Sequence, residues 1–115
     1  MVVKRGDIFY ADLDPIIGSE QDGIRPVLVV QNNVGNKYSP TIVVLPLSTA
    51  KKPDLPTHIN IRGSRLLPKN SIVLAEQIRT IDRDRLLRYV GSVGLEIMEK
   101  VYKAVKISIG VGSND

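Results

Sequence analysis

The chain reads as a small antiparallel β-barrel, or a strongly curled sheet, that ends in one amphipathic helix. Three observations predict this class. Apolar runs of strand length fill the first two thirds and are bounded by turn residues. No helix-length segment separates them, as parallel βαβ units would require. From Leu95 onward the apolar period changes from that of a strand to that of a helix.

The elements follow in order. Residues 7–13 (DIFYADL) form a strand that is apolar on both faces, and residues 26–31 and 41–47 are continuous apolar runs. Pro46 has no N–H and belongs at an edge, a bulge or a strand end. Residues 57–61 (THINI) alternate, which predicts a half-buried strand. Residues 71–75 and 77–81 complete the set as one long bent strand, and a helical turn is expected from Asp82, with Leu86 and Leu87 facing inward. Leu95, Met98, Tyr102, Val105 and Ile109 make one stripe on the C-terminal helix. Glu96 and Glu99 near its start and Lys100, Lys103 and Lys106 later match the helix dipole. Ser92 or Gly94 caps it, Gly110 and Gly112 stop it, and residues 113–115 fray. Residues 14–24, 32–40 and 49–56 are loops, the usual carriers of binding residues on a rigid scaffold.

At 115 residues the chain makes one domain of ordinary globular composition. No apolar run approaches the roughly 18 residues that span a bilayer, and the start shows no signal-peptide core. With no cysteine there is no disulfide, thiolate ligand or thiol nucleophile, and a cytoplasmic address is expected. Net charge is +4, and residues 62–88 hold all of the excess: seven basic side chains (Arg62, Arg65, Lys69, Arg79, Arg83, Arg85 and Arg88) against three acidic ones. Such a cluster suits a polyanion such as RNA, or is simply a solvated surface.

One histidine and no cysteine exclude zinc of the usual N/S type and any paired-histidine ribonuclease mechanism within one subunit. Asp7 and Asp12 point to opposite faces of a strand, so with Asp14 they read as turn formers or arginine partners; no metal or cofactor is expected. His58 reads as a packing or surface residue. Arginine, carboxylate and hydroxyl chemistry remains. Arg25 precedes Pro26, which biases it to extended backbone at the mouth of a buried strand. Glu20 and Gln21 lie in the preceding loop, and Ser48 and Thr49 at the far end of the third strand. In a small barrel these ends can meet, and the set suits RNA transesterification: the ribose 2′-OH attacks its own phosphorus while the protein moves two protons and holds charge. The alternative for Arg25 is a structural ion pair.

The strings Arg5-Gly6-Asp7-Ile8, Leu13-Asp14-Pro15, Gly18-Ser19-Glu20-Gln21 and Arg25-Pro26-Val27-Leu28-Val29 resemble the opening of MazF/PemK family toxins. Gln31-Asn32, Gly35-Asn36, Pro46-Leu47-Ser48-Thr49, Leu55-Pro56-Thr57-His58 and Glu76-Gln77-Ile78-Arg79-Thr80-Ile81-Asp82 continue the match over almost the whole chain. The match is nearest to the toxins of Gram-positive bacteria. The resemblance implies a mainly β protein with helices: a small SH3-like barrel of the CcdB/PemK type with a C-terminal α-helix. It further implies a homodimer that cuts single-stranded mRNA at specific sequences, leaving 2′,3′-cyclic phosphate and 5′-hydroxyl ends. The implied partner is a cognate antitoxin whose acidic C-terminal segment occupies the RNA groove. Arg25 falls on the family's catalytic arginine, Ser48 on a position where many members carry a catalytic threonine, and Glu20 on a loop carboxylate. Because Ser48 departs from the pattern, it and the adjacent Thr49 both stand as the acting hydroxyl. Gln21, Lys51, Lys52, Gln77, Arg79 and Thr80 become RNA contacts, although Glu76 and Arg79 equally suit a structural salt bridge. Asn32 and Asn36 are either base readers or loop-geometry residues. Five aromatic residues leave little stacking surface, so readout should lean on hydrogen bonds to base edges. Two rivals are a passive RNA-binding barrel and a CcdB-like gyrase poison, the latter tied to a C-terminal Trp-Gly-Ile that this sequence lacks.

Overall fold

Alternation along the strands sorts their side chains onto two faces. On β1 (Asp7–Asp12) Ile8 enters one apolar cluster, and Phe9 and Ala11 enter another. On β2 (Ile24–Val29) Leu28 joins Ile8, while Val27 and Val29 join Phe9; on β3 (Thr41–Ser48) Leu45 and Leu47 divide from Ile42 and Val44 in the same way. Because both faces are buried, β2 and β3 read as unbroken apolar runs. The computed structural model describes residues 1–64 and 67–112, so Arg65 and the expected fraying of residues 113–115 lie outside the described residues.

The described strands form one seven-stranded antiparallel sheet with the order β4 (His58–Ile61), β5 (Ser71–Leu74), β3, β2, β1, β7 (Leu86–Ser92), and β6 (Arg79–Asp82) also pairs with β3. The expected long bent strand is realised as two. Along one edge of β3, Thr41–Val44 pair with β6 and Leu47–Ser48 with β5, and the 3-10 turn Ala75–Gln77 fills the break. Pro46 explains the break. Val30 N–H donates to Val43 O (3.1 Å) and Val43 N–H to Gln31 Oε1 (3.2 Å), so Val43 bonds toward β2. Bonding direction alternates along a strand, which turns the Pro46 nitrogen toward the 3-10 turn, where no ladder donor is needed.

Three further expectations are corrected. Residues 33–38 are a short helix, α1 (Asn33–Tyr38), and not loop; Asn32 caps it by accepting from Gly35 N–H at 2.8 Å. After a 3-10 turn at Arg83–Arg85 the chain forms β7, whose alternation buries Leu86 and exposes Leu87. Arg88 and Tyr89 are exposed on this edge strand, so its sequence carries little strand signal. The C-terminal helix is present as α2 (Leu95–Ser108), but the stripe is displaced. Met98, Val101 and Ala104 are buried, whereas Leu95 and Ile109 are 69% and 62% exposed. The narrow Val101–Ala104 face lets the helix approach β4 and the Ala75–Gln77 turn closely.

Candidate functional site

Arg25 stands on β2 opposite Ala11, just after the loop of residues 13–23. Its Nε donates to Asp22 O (2.9 Å), and its Nη2 lies 3.4 Å from Asp22 Oδ1. This is the anticipated ion pair, but a long one, and the side chain keeps 36% exposure. Arg25 and Thr49 line one cleft of about 250 Å³, together with Tyr10, Leu47, Lys69 and Ser71. Tyr10 is fixed there by Arg88, whose guanidinium carbon lies 4.9 Å from the ring centroid. Ser48 is different. It is 1% exposed and its Oγ accepts from Ala50 N–H at 3.2 Å, so its hydroxyl oxygen is engaged within the chain. Of the two adjacent alcohols, the exposed Thr49 is the one that shares Arg25's cleft.

The carboxylate does not join them. Glu20 lines a separate cleft of about 210 Å³ with Gln21, Gln77 and Arg79. The loop that holds it is closed at the neck: Leu13 N–H donates to Gly23 O at 2.9 Å and Gly23 N–H to Asp14 Oδ1 at 3.1 Å. Gly18 and Gly23 adopt φ of +56° and +67°, the left-handed region that glycine enters without steric cost. Glu20 Oε1 accepts from Ile17 N–H at 2.6 Å, pinning the loop's own backbone. Gln21 N–H donates to Gln77 Oε1 (2.9 Å), and Arg79 Nη1 donates to Leu13 O (3.2 Å). Gln21, Gln77 and Arg79 thus line one cleft, with part of their hydrogen-bonding capacity spent on holding the loop. Thr80 is exposed on β6, paired with Val43.

The Glu76–Arg79 bridge, one of the two alternatives for these residues, is not formed. Glu76 Oε1 accepts from the Thr57 hydroxyl, and Oε2 lies 3.0 Å from His58 Nε2. The His58 side chain is only 6% exposed, and its Nδ1 contacts Pro53 O at 2.8 Å. Burial by itself would raise the Glu76 carboxyl. The His58 hydrogen bond, the residue's own backbone, the Thr57 hydroxyl and the His58 charge outweigh that and hold it below the usual value. His58 is therefore a packing residue with a job: it ties the loop before β4 to the turn that carries Gln77.

Asn36 is not available as a base reader. It is 1% exposed, and its Nδ2 donates to Gln31 O (2.8 Å) and Asn33 Oδ1 (3.1 Å). Asn32 spends its carboxamide oxygen on the α1 cap. Lys51 is exposed beside Thr49, and Lys52 is half-buried next to it. The basic cluster also proves mixed. Arg83 donates to Asn36 O and Ser39 O, and Arg85 to Asp12 O and Asp14 O, which commits both to the scaffold. Among the described residues, no group of three or more His, Cys, Asp or Glu is arranged to hold a metal ion.

A family model described as "PemK-like, MazF-like toxin of type II toxin-antitoxin system" matches residues 4–109. The chain belongs to this family. Endoribonuclease EndoA of Bacillus subtilis is 47% identical over 113 residues, covering 96% of this chain and 97% of the relative. Endoribonuclease MazF of Staphylococcus saprophyticus is 45% identical over 112 residues, covering 96% and 93%. Among solved structures, an endoribonuclease in complex with its cognate antitoxin from Mycobacterial species superposes with a TM-score of 0.79 at 28% identity, covering 95% and 96%. MazF from Deinococcus radiodurans gives 0.83 at 21% identity over 96% and 99%, a likeness of fold.

For a MazF/PemK toxin, three lining residues of the Arg25 cleft went unnoticed in the sequence: Tyr10, Lys69 and Ser71. Tyr10 reads there as an ordinary strand aromatic, and Lys69 only as one charge among seven. The one available signal was the lysine's place in a loop between two strands. Among the described residues, no helix of this toxin is long and apolar enough to cross a membrane.

Proposed function

We propose that Arg25 and Thr49 form the reacting centre of an endoribonuclease toxin that cuts single-stranded mRNA at specific sequences. At 45–47% identity to two curated endoribonucleases over nearly the full length, the chain is an endoribonuclease of its family. The observation that carries the choice of residues is the shared cleft: one half-exposed guanidinium and one exposed hydroxyl at the meeting of two strand ends. There the RNA 2′-oxygen attacks the adjacent phosphorus, the P–O2′ bond forms and the P–O5′ bond breaks. The proton released from the 2′-hydroxyl ends on the departing 5′-oxygen, giving 2′,3′-cyclic phosphate and 5′-hydroxyl ends. Arg25 grips the non-bridging oxygens with its planar fork as their charge grows and takes part in proton transfer, and Thr49 hydrogen-bonds the moving proton. The nucleophile belongs to the substrate, so the reaction asks for no metal-bound water. Glu20 acts one step away, by shaping the loop whose Gln21 meets Gln77.

Arg25→Ala should lower cleavage on the order of 10²-fold or more, the scale of a lost acid–base or charge-stabilising group, with the melting temperature unchanged. Near-wild-type cleavage by this variant would remove Arg25 from the mechanism. A 2′-deoxy sugar at the cut site should abolish cleavage, and EDTA should not affect it. The toxin acts in the cytoplasm as a homodimer, which light scattering checks. An antitoxin with an acidic segment neutralises it by occupying the same cationic clefts; the Mycobacterial relative, solved in complex with its cognate antitoxin, supports an antitoxin partner.

A further inference from the structure

We infer that the Arg25 cleft is one half of a longer groove, whose other half is a second RNA subsite formed by Arg62, Asn60, Asn70 and Lys51. The inference rests on the reading of Arg25 and Thr49 above. Two clefts meet at Thr49 and Ser71, which line both. The second is the roomier, about 480 Å³, and those four polar side chains wall it.

Strand pairing and one close backbone crossing frame it. Asn60 and Ile61 of β4 face Ile72 and Ser71 of β5 across the ladder. Strand alternation buries Ile59 and Ile61 and leaves Asn60 exposed. The loop that follows β4 is pinched where Gly63 passes Lys69: a Cβ on Gly63 would lie 2.9 Å from the Lys69 carbonyl carbon. Asn70 Oδ1 accepts from Gly63 N–H at 2.7 Å, which locks the crossing and leaves the Asn70 amide N–H groups as donors. The fold therefore holds Arg62, Lys69 and Asn70 around a close backbone crossing that only glycine allows.

Electrostatics names the occupant. Arg25 leans on Asp22, but among the described residues Lys51, Arg62 and Lys69 form no ion pair. Cations on both sides of Thr49, of which Lys51, Arg62 and Lys69 have no carboxylate partner among the described residues, interleaved with carboxamides, suit a phosphodiester strand whose base edges accept and donate hydrogen bonds. The nucleotides flanking the cut therefore run along β4 and β5, and Arg62 and Lys51 hold their phosphates.

Binding of an uncleavable 2′-O-methyl RNA long enough to fill both clefts, beside one of half that length, tests this. The doubly substituted Lys51→Ala/Arg62→Ala protein should bind the long RNA roughly tenfold more weakly and the short one as wild type. Its slope of log affinity against log salt should fall by about 0.7 for each phosphate that is no longer neutralised. Lys106→Ala, a charge change on the far end of α2, should alter neither. Wild-type affinity for the long RNA, or equal weakening of long and short, overturns the inference, as does a loss confined to acidic peptides. Cleavage of unmodified RNA by Arg25→Ala, read in parallel, reports separately on the reacting centre.

Discussion

The two ends of β3 contain similar polar residues in opposite states. At the Thr41 end the side-chain donors are engaged: Gln31 bonds Thr41 O and Val43 N–H, Asn36 donates to Gln31 O, and Arg83 donates to Asn36 O and Ser39 O, while the buried Asn36 Oδ1 has no partner among the described residues. At the Ser48 end Arg25 has one loose carboxylate partner, Thr49 is exposed, and Lys51, Arg62 and Lys69 form no ion pair among the described residues. Arginine and asparagine serve the scaffold where their donors are used up and serve a ligand where donors remain. Residue type alone does not separate the two cases; the state of the hydrogen bonds does.

The sharpest way to break this contrast is at Thr49. Thr49→Ala should cost about 10²-fold in cleavage and leave stability unchanged. Equal losses from Ser48→Ala and Thr49→Ala in a cleavage assay would erase the distinction between the buried and the exposed hydroxyl. At the engaged end the signature reverses. Arg83→Ala should lower unfolding free energy by about 1–3 kcal/mol, because two carbonyls lose their donor, and should leave cleavage intact. Urea denaturation checks the first part and a cleavage time course the second. Ser48→Ala should cost about 1 kcal/mol, through loss of the bond from Ala50 N–H, with little effect on cleavage.

The smallest expected effect lies at Glu76. Its folded-state value is depressed, so its contribution to stability is present above the ordinary value of 4.5 and is lost as pH falls through the folded value. Because the carboxylate is largely solvated, the contribution stays under about 1 kcal/mol. Glu76→Gln should flatten that part of the acid limb of a stability–pH curve, measured by chemical denaturation. An unchanged limb would show that the His58–Glu76 pair adds nothing to folding.

Much of this fold is visible before any coordinates. The apolar runs of β2 and β3 announce strands because both of their faces are buried, and the period change at Leu95 announces α2. Pro46, expected at an edge, a bulge or a strand end, instead lies within the central strand β3, where it faces the junction of β5 and β6. Around the site, the sequence brings forward Arg25, Glu20, Gln21, Gln77 and Arg79, all of which line clefts, yet it treats Glu20 and Arg25 as neighbours, and they line separate ones.

Tertiary structure decided the rest. β7 lies on an edge, where alternation need not be apolar, so Leu87, Arg88 and Tyr89 hide it. The buried face of α2 runs through Val101 and Ala104, because close approach to β4 rewards small side chains over the larger ones that draw attention in a periodic stripe. Whether Ser48 or Thr49 meets Arg25, and whether Asn36 faces solvent or Gln31, depends on which side of a strand or helix faces a neighbour that comes from elsewhere in the chain. Local sequence determines periodicity and turn chemistry through short-range sterics. Only packing between distant segments determines which polar groups are consumed and which remain free to act.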